Sequence, residues 1–436
     1  MFSKIKGLHI DGRKSMSTGK PIENFLDPEA VYIPTAVGNT VYTMTVQPGD
    51  TVLKGQIIGN REGRFGHPIA SPVSGTVSGL KKMWHSSGKM LQMLEIVNDH
   101  QEKCAYEAPK SFDYSREELV EIIKNAGIVG LGGAGFPTYV KCLPSNDADS
   151  VIINAAECEP FITADYMLLL SEADKVLKGL TYLMKANGAK KGYIAIKKTK
   201  PEAINAIKAA LVDFPNIELF LLKDVYPAGW EKYIVEKVTH KTYSSLPREV
   251  GVVVDNVQSA YSVYEAVELN KPLIERIVTI TGEGVKEPRN FRVKIGTRIP
   301  TLIEECGGYK EDMEDAYMIA GGPMTGRAIL FDDLVVTPNL GSVIIMPKKI
   351  HLNNPTCMGC GKCAENCPSF LVPTEIKKAY LNKDVKALAA LNANKCVQCG
   401  LCSYVCPSRI EMTDYVGKAK DMLMKANAVK AAKAKK

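Results

Sequence analysis

Long apolar runs are missing from this 436-residue chain. None approaches the roughly 20 residues that a membrane-spanning helix needs, since even VVVDNVQSAY and MLLLSEADKVL are broken by polar or charged groups. The chain is therefore not expected to cross a bilayer. The opening MFSKIKGLHIDGRK lacks the apolar core of a secretory signal, which places the protein where thiols stay reduced and clustered cysteines hold metals before they form disulfides. Spread basic charge is missing too. The formal charge is +7, but Gly417–Lys436 holds seven lysines against one aspartate, leaving the other 416 residues nearly neutral. A nucleic-acid groove wants basic residues distributed along a surface, and this chain has a basic tail instead. With 45% hydrophobic and 24% charged residues it is an ordinary globular protein, long enough for two to four domains.

Cysteine is abundant at one place. Eight of the 12 lie between Cys357 and Cys406. CMGCGKCAENCP holds Cys357, Cys360, Cys363 and Cys367, and CVQCGLCSYVCP holds Cys396, Cys399, Cys402 and Cys406; both are C-x2-C-x2-C-x3-C-P. Two-residue spacers wrap the backbone round a cubane so that three thiolates reach three irons, while the fourth, on a following helix, points to the other cluster. The pattern predicts one [4Fe-4S] cluster on Cys357, Cys360, Cys363 and Cys406 and a second on Cys396, Cys399, Cys402 and Cys367, with Pro368 and Pro407 turning the chain away. A lone CxxC would leave zinc open; two identical full repeats do not. Such centres move single electrons, so the chain is an electron-transfer protein. Cys104, Cys142, Cys158 and Cys306 stand alone and read as small buried apolar groups.

The remainder reads as multidomain, α/β and α+β. Val31 to Val97 is rich in Val, Ile, Thr and Gly with frequent turn signals, a small all-β unit. VQPGDTVLKGQIIG and IASPVSGTVSGL resemble half of the barrel-sandwich fold of biotinyl and lipoyl domains. Their hairpin, NREGRFGH, has no lysine to carry such a cofactor, which leaves a structural or docking module, with His67 a turn residue. Between Asp113 and Pro272, VIINAAE, GYIAIK, IELFLLK and GVVVDN alternate with helical stretches, which implies a Rossmann-like parallel sheet with ligands at the carboxyl ends of its strands. RIVTITGEGV, NFRVKIGT and AYMIAGG with helix PTLIEEC suggest a β-grasp unit. The expected boundaries are 1–105 for the barrel-sandwich-like domain, 113–272 for the α/β domain, 273–350 for the β-grasp (SLBB-like) module, 351–416 for a helical two-cluster domain and 417–436 for a basic tail, either solvated or lying on anionic lipid or an acidic partner.

GIVGLGGAGFPTYVK places Gly130, Gly132, Gly133 and Gly135 in one loop. The match to G-x-G-x-x-G is weak because helical EELVEIIKNAG precedes it where the dinucleotide fold demands a strand. So many glycines cost backbone entropy; bare N–H groups that close on a phosphate or lie flat against a ring offset it, with Pro137 starting a helix whose positive end faces the anion. Polar groups follow three strand ends or turns: Asn154, Glu157 and Glu159 in NAAECEP, Gly229 and Glu231 in AGWEK, Asn256 and Gln258 in DNVQS. Acceptors there suit a ribityl chain, a ribose or a flavin or nicotinamide edge.

GLGGAGFPTYVK, NAAECEP, AGWEK and DNVQS, in this order ahead of a β-grasp and cysteine region, resemble the flavin- and NADH-binding subunit of respiratory complex I. The chain is still more similar to the RnfC family, the C subunits of Rnf ferredoxin:NAD oxidoreductase complexes. The resemblance covers nearly the whole chain. It implies FMN against Gly130 to Gly135, held by Asn154, Glu157, Gly229, Glu231 and Asn256, and NADH contacts at Phe136, Lys141 and Glu159. The chain departs from the complex I pattern at Leu131 and Gly133, where that subunit has arginines, at Ala156 in place of an aspartate, and at Gln258 in place of a glutamate. GLHIDGRKS also departs from a proline-containing stretch usual in the family. The resemblance further implies electron exchange between NAD(H) and ferredoxin through FMN and two [4Fe-4S] clusters, with a ferredoxin-like B subunit as a partner, Na+ or H+ translocation by membrane-embedded subunits, and a peripheral place on the cytoplasmic face of a bacterial membrane. No acid–base residue is called for, since hydride transfer rests on positioning. Rival expectations are a cobalamin reductase-like NADH oxidoreductase and a relay subunit without a nicotinamide site.

Overall fold

A computed structural model describes residues 7–37, 40–133, 135–143, 146–311, 313, 316–329, 331–347 and 356–434. The chain divides into two compact units, one of Met1–Asp11, Val225–Pro227 and Lys349–Lys436, the other of Gly12–Asp224 and Ala228–Lys348.

In the larger unit the N-terminal part forms β1 (Glu23–Phe25), β2 (Ala30–Pro34), β3 (Ala36–Val37), β4 (Thr40–Met44), β5 (Thr51–Val52), β6 (Ile57–Arg61), β7 (Pro68–Ala70), β8 (Gly75–Trp84) and β9 (Met90–Asn98). Two four-stranded sheets result, ordered β2-β9-β8-β5 and β3-β4-β6-β7, with antiparallel pairings. Val31, Ile33, Val52, Ile58, Val77, Leu94 and Ile96 form their common core, which is the sandwich that the Val/Ile/Thr pattern predicts. The β6–β7 hairpin carries Arg64, Phe65 and His67.

The α/β part comprises α1 (Arg116–Asn125), α2 (Thr138–Cys142), β10 (Ser150–Ala155), α3 (Ala164–Asn187), β11 (Lys191–Lys197), α4 (Pro201–Ala210), β12 (Ile217–Leu222), α5 (Glu231–Thr239), β13 (Val252–Asn256) and α6 (Val257–Leu269). A capping box starts α1: Ser115 Oγ accepts from the Glu118 N–H at 3.2 Å and Glu118 Oε2 from the Ser115 N–H at 2.7 Å. The segment before the glycine loop is thus helix, as its period indicates. The strands pair in the order β12-β11-β10-β13, all parallel. Burial of such a sheet on both faces explains its continuous apolar runs, and Val151, Ile152, Ile153, Ile194 and Ile196 are fully buried. Helices α3 and α6 close on each other at Gly179, where a Cβ would lie 1.8 Å from the Ala260 carbonyl oxygen.

Then follow β14 (Glu275–Thr281), β15 (Arg289–Lys294), α7 (Ile299–Glu305), β16 (Tyr317–Ala320), β17 (Arg327–Ile329) and β18 (Ser342–Met346). With β1 they make a mixed six-stranded sheet, β1-β15-β14-β18-β16-β17. Strand β1 pairs parallel with β15, so this sheet draws a strand from the N-terminal stretch.

The smaller unit holds α8 (Lys362–Glu365), α9 (Pro373–Leu381), α10 (Val385–Ala390), α11 (Leu401–Tyr404) and α12 (Met412–Ala434). Ile376, Leu388, Ile410, Met412, Val416, Ala419 and Leu423 are its core. Helix α12 runs unbroken through residue 417, and the buried Ala419 and Leu423 make the first part of the basic segment a structural element, not a frayed end. In the same unit the Leu8 N–H donates to the Tyr226 carbonyl at 2.9 Å and the Tyr226 N–H to that of Leu8 at 2.7 Å.

Candidate functional site

Both cysteine runs fold alike. Gly361 and Gly400, with φ of 75° and 82°, turn the chain into the short helices α8 and α11, a left-handed turn that glycine makes at little cost. These helices carry the third cysteine of each run, Cys363 and Cys402; the fourth, Cys367 or Cys406, lies just beyond the helix end instead of on it. The fourth cysteines are where the runs exchange partners. Cys357, Cys360, Cys363 and Cys406 line a recess of about 320 Å³, and Cys396, Cys399, Cys402 and Cys367 line another of about 350 Å³. Among the described residues no three His, Cys, Asp or Glu side chains meet at a single-ion site. Four thiols that line one recess without converging on a single-ion position suit the several irons of a cubane better than one tetrahedral zinc.

Amide groups already aim at the sulfurs. The Gln398 N–H donates to Cys396 Sγ at 3.3 Å, and those of Leu371 and Ile410 to Cys367 and Cys406 Sγ at 3.4 Å. Around the second recess the Tyr226 hydroxyl donates to the Cys399 carbonyl at 2.7 Å and Lys420 Nζ to that of Cys396 at 2.8 Å. Burial raises the Cys399 and Cys402 thiols to about 12 and about 11, so iron binding must displace their protons. Cys357 and Cys360 are exposed, and the two recesses therefore differ in solvent access. Of the isolated cysteines, Cys142 and Cys306 are buried and Cys158 half-buried, but Cys104 is exposed, against expectation.

The glycine loop and the three polar turns converge at the carboxyl edge of the parallel sheet. The Gly130 N–H closes the loop on the Phe136 carbonyl at 2.8 Å, and the Leu131 N–H ties it to Ser259 Oγ on α6 at 3.0 Å. Asn154 and Asn256 are register partners on β10 and β13. A Cβ on Gly132 would lie 2.6 Å from Asn256 Nδ2, so the loop rests against that amide. Asn154 Nδ2 donates to the Gly229 carbonyl at 2.9 Å, and Glu231, first residue of α5, accepts from the Tyr243 hydroxyl at 2.8 Å. Among the described residues nothing lies within 4 Å of a Cβ added at Gly133, and of one added at Gly135 only the Asn339 Cβ does, at 3.9 Å. Open glycine backbone over a strand edge fits the phosphate or ring of a flavin. Helix α2 behind it has five residues, too short for the dipole expected from Pro137 to count for much.

The acidic turn has a different job from the one its position suggests. Glu157 Oε1 accepts from the Asp165 N–H at 2.7 Å and the Tyr166 N–H at 3.3 Å, capping α3, while Lys200 Nζ reaches Oε2 at 3.0 Å. Lys14 stands 3.5 Å from the same carboxylate and donates to the carbonyls of Glu157 and Glu159 at 2.8 Å each, and to that of Ile162. Burial alone would raise the Glu157 carboxyl, but the Lys200 and Lys14 ammonium groups outweigh it and hold it below the usual carboxylate range. Lys14 itself is lowered to about 8, because burial exceeds the pull of Glu157; its bonds go mainly to neutral carbonyls, and its ion pair is the looser one. Asn256 Nδ2 and Gln258 Nε2 both donate to the buried Asp165, at 2.6 and 2.9 Å, and Gln258 Oε1 accepts from the Ile277 N–H at 2.9 Å. These amides brace the turn beside the glycine loop.

Two of the three expected nicotinamide contacts are engaged by groups of the fold. Lys141 Nζ is taken up by the Val254 carbonyl and Asp255 Oδ1, both at 2.7 Å. Glu159 sits on the β16–β17 turn, accepting from the Met324 N–H at 3.0 Å and the Thr325 hydroxyl, in a place where a Cβ on Gly322 would lie 2.2 Å from its Oε2. Phe136 alone is open, 41% exposed beside Phe65. Lys14, Asp165 and Lys200 carry much of the geometry without belonging to any of the site motifs, and Ser259, the last residue of DNVQS, ties down the glycine loop although the sequence reading passed it over. Of the first three, only Asp165, at the head of a long helix next to a strand end, left a local signal.

Four family models match in chain order: the RnfC barrel sandwich hybrid domain over residues 2–101, the Nuo51 FMN-binding domain over 123–265, the SLBB domain over 277–328 and a 4Fe-4S dicluster domain over 350–410. The chain is 34% identical over 381 residues to the C subunit of the Na(+)-translocating ferredoxin:NAD(+) oxidoreductase complex of Acetobacterium woodii, covering 85% of each chain. It is 36% identical over 379 residues to the C subunit of the proton-translocating ferredoxin:NAD(+) oxidoreductase complex of Clostridium ljungdahlii, covering 84% of this chain and 82% of the relative. The C subunit of the ion-translocating oxidoreductase complex of Vibrio cholerae is 34% identical over 385 residues, 85% of this chain and 49% of the relative. Among solved structures, a chain of an NAD+-reducing [NiFe]-hydrogenase in the H2-reduced state superposes with a TM-score of 0.50 at 17% identity, covering 72% of this chain and 63% of that one, a likeness of fold.

Proposed function

Because the chain belongs to the RnfC family, the C subunits of ion-translocating ferredoxin:NAD+ oxidoreductase complexes, we propose that it passes electrons between NAD(H) and the rest of such a complex through FMN and two [4Fe-4S] clusters. A flavin accepts two electrons as hydride and releases them singly, the conversion that a nicotinamide donor and one-electron clusters require. The observation that carries this reading is the presence in one chain of two four-cysteine recesses and an open glycine loop at the carboxyl edge of a parallel sheet. Gly130 to Gly135 hold the flavin through backbone, Asn256 and Asp165 keep that backbone in place, and Asn154 fixes the turn at Gly229. Cys357, Cys360, Cys363 and Cys406 hold one cluster and Cys396, Cys399, Cys402 and Cys367 the other. The domains fall at 1–105, 113–272, 273–350 and 351–416, with the basic segment from 417 continuing the last helix as far as Ala434.

Partners are the other subunits, which carry the ion pathway and the ferredoxin contact. Two relatives at nearly equal identity are named for different ions, as expected if ion choice lies outside this subunit. Among the described residues no helix is long and apolar enough to cross a membrane; the chain works as a peripheral subunit on the cytoplasmic face, where NADH is available. The deciding experiment is a visible spectrum of the purified protein with flavin and iron quantified, before and after NADH. Bleaching of flavin and cluster bands together supports the reading; iron and sulfide without FMN or bleaching would leave a relay subunit.

Gly132→Ala tests the flavin loop. The added Cβ must push Asn256 off Asp165, and FMN released on denaturation should fall as affinity drops about tenfold, roughly 1.4 kcal/mol, with iron content unchanged. Full flavin retention would remove Asn256 from the site.

A further inference from the structure

Arg276, the second residue of β14, is 4% exposed, yet among the described residues no carboxylate comes within ion-pair distance of it. Its Nε donates to the Ile277 carbonyl at 3.2 Å and its Nη1 to the Pro338 carbonyl at 2.5 Å, while Nη2 has no hydrogen bond among the described residues. Burial pulls the guanidinium down to about 10, against the attraction of the Asp165 carboxylate. A buried cation met only by neutral carbonyls carries a desolvation cost that an anion would offset. Its surroundings lead to the glycine loop. Segment 337–341, between β17 and β18, wraps the guanidinium: Pro338 accepts from it, and a Cβ on Gly341 would lie 3.2 Å from Nη2. In the same segment Asn339 is the residue that approaches Gly135. Asn339 Oδ1 is taken by the Thr337 hydroxyl at 3.0 Å, and its Nδ2 has no hydrogen bond among the described residues. On the other side the Ile277 N–H is bound to Gln258, two residues beyond the Asn256 on which Gly132 rests. One short segment thus links a buried guanidinium and a free amide to the open end of the glycine loop.

We propose that the β-grasp module reaches into the flavin site: Arg276, with Asn339, binds the phosphate of FMN at the Gly135 end of the glycine loop and supplies from β14 the charge that the loop lacks. The proposal rests on the functional reading above and deepens it. It answers a shortage of cations. Leu131 and Gly133 stand where the complex I pattern has arginines, Lys141 is committed to Asp255, and Lys200 and Lys14 share Glu157. A planar guanidinium with donors to spare matches a phosphate better than an ammonium does.

The test takes the full chain with its clusters in place and its flavin removed, and titrates it with FMN and with riboflavin, which has the ring and ribityl chain but no phosphate, read by quenching of flavin fluorescence. Wild type should prefer FMN. Arg276→Gln should bind FMN roughly tenfold to a hundredfold more weakly, the loss of charge-assisted hydrogen bonds, and riboflavin as the wild type does. Arg276→Lys keeps the charge without the fork and should recover part of the loss. Asn339→Ala, an exposed change, should weaken FMN several-fold and leave riboflavin alone; if Arg276→Gln does not accumulate folded, this variant and Arg276→Lys decide. Equal loss of FMN and riboflavin would mark a merely structural arginine, and unchanged FMN affinity would empty the subsite; either overturns the proposal and leaves the functional reading standing. Weakened NADH binding by the flavin-loaded variants, with FMN affinity intact, would assign the guanidinium to a dinucleotide pyrophosphate and overturn it too. A wild type that binds neither flavin overturns the flavin reading itself, and the proposal with it.

Discussion

Cys406→Ala and Cys357→Ala should yield the same species: a protein with half of the wild-type iron and sulfide and one remaining reduced-cluster signal in electron paramagnetic resonance. The two positions belong to different repeats, far apart in the chain, yet both line the smaller recess with Cys360 and Cys363. Cys367→Ala should give the complementary species, matching Cys396→Ala, because Cys367 lines the other recess. Ligation within each run would reverse the pairing, so that Cys406→Ala resembled Cys396→Ala, and that result would sink the crossed assignment. Either loss interrupts a single-file path, and NADH-driven reduction of a downstream acceptor should fall to background while flavin reduction persists. Helices α8 and α11 have four residues each, too few to hold their shape without the ligands they carry, so local unfolding should accompany loss of a cluster.

Glu157→Ala is expected to lower stability by about 3–5 kcal/mol, the usual cost of stripping one partner from a buried ion pair. The carboxylate side chain is 4% exposed and faces the Lys200 and Lys14 ammonium groups. Without it the buried Lys200 and the half-buried Lys14 are left without their shared carboxylate, and α3 loses its cap at the Asp165 N–H. A denaturant midpoint moved by less than about 1 kcal/mol equivalent would show that water or a shifted lysine replaces it. Glu157→Gln keeps an acceptor for the cap and should recover part of the loss. The acid limb carries the sign. A carboxyl held below its ordinary value stabilises the fold above about pH 4.3, and that contribution disappears as pH falls through the folded value. Wild-type stability should therefore decline on acidification below about pH 4, and the Gln variant should decline less steeply. Lys14 acts oppositely: lowered to about 8, it binds its proton less readily folded than unfolded, so its penalty is relieved between pH 8 and about 10.5.

Much of this protein is written in short-range pattern. Two-residue cysteine spacing is local, and it determines cluster type and number without reference to the fold. The apolar runs of β10, β11, β12 and β13 and the capping box of α1 are local as well, and they announce a parallel sheet and rule out a dinucleotide-type strand before the glycine loop. Asn154 and Asn256 could be placed at strand ends from the sequence, but their adjacency exists only once β10 and β13 pair in register.

Other parts were decided by tertiary structure because they are matters of distance between groups of common type. Lys14 is one of several charged residues in an ordinary N-terminal stretch, and nothing there signals a half-buried ammonium donating to carbonyls 143 to 148 residues away. The acidic turn looked like a ligand edge; folding commits Glu157 to two lysines and Glu159 to the β16–β17 turn, since burying an unpaired carboxylate costs more than giving up a solvent-facing one. The missing lysine in NREGRFGH excluded one cofactor, but only docking of that hairpin on the glycine loop brings Phe65 to Phe136. Residue chemistry and spacing determined that the chain handles electrons with iron and sulfur; long-range packing decided which polar groups remain free to meet a ligand, because desolvation claims every buried charge for a partner first.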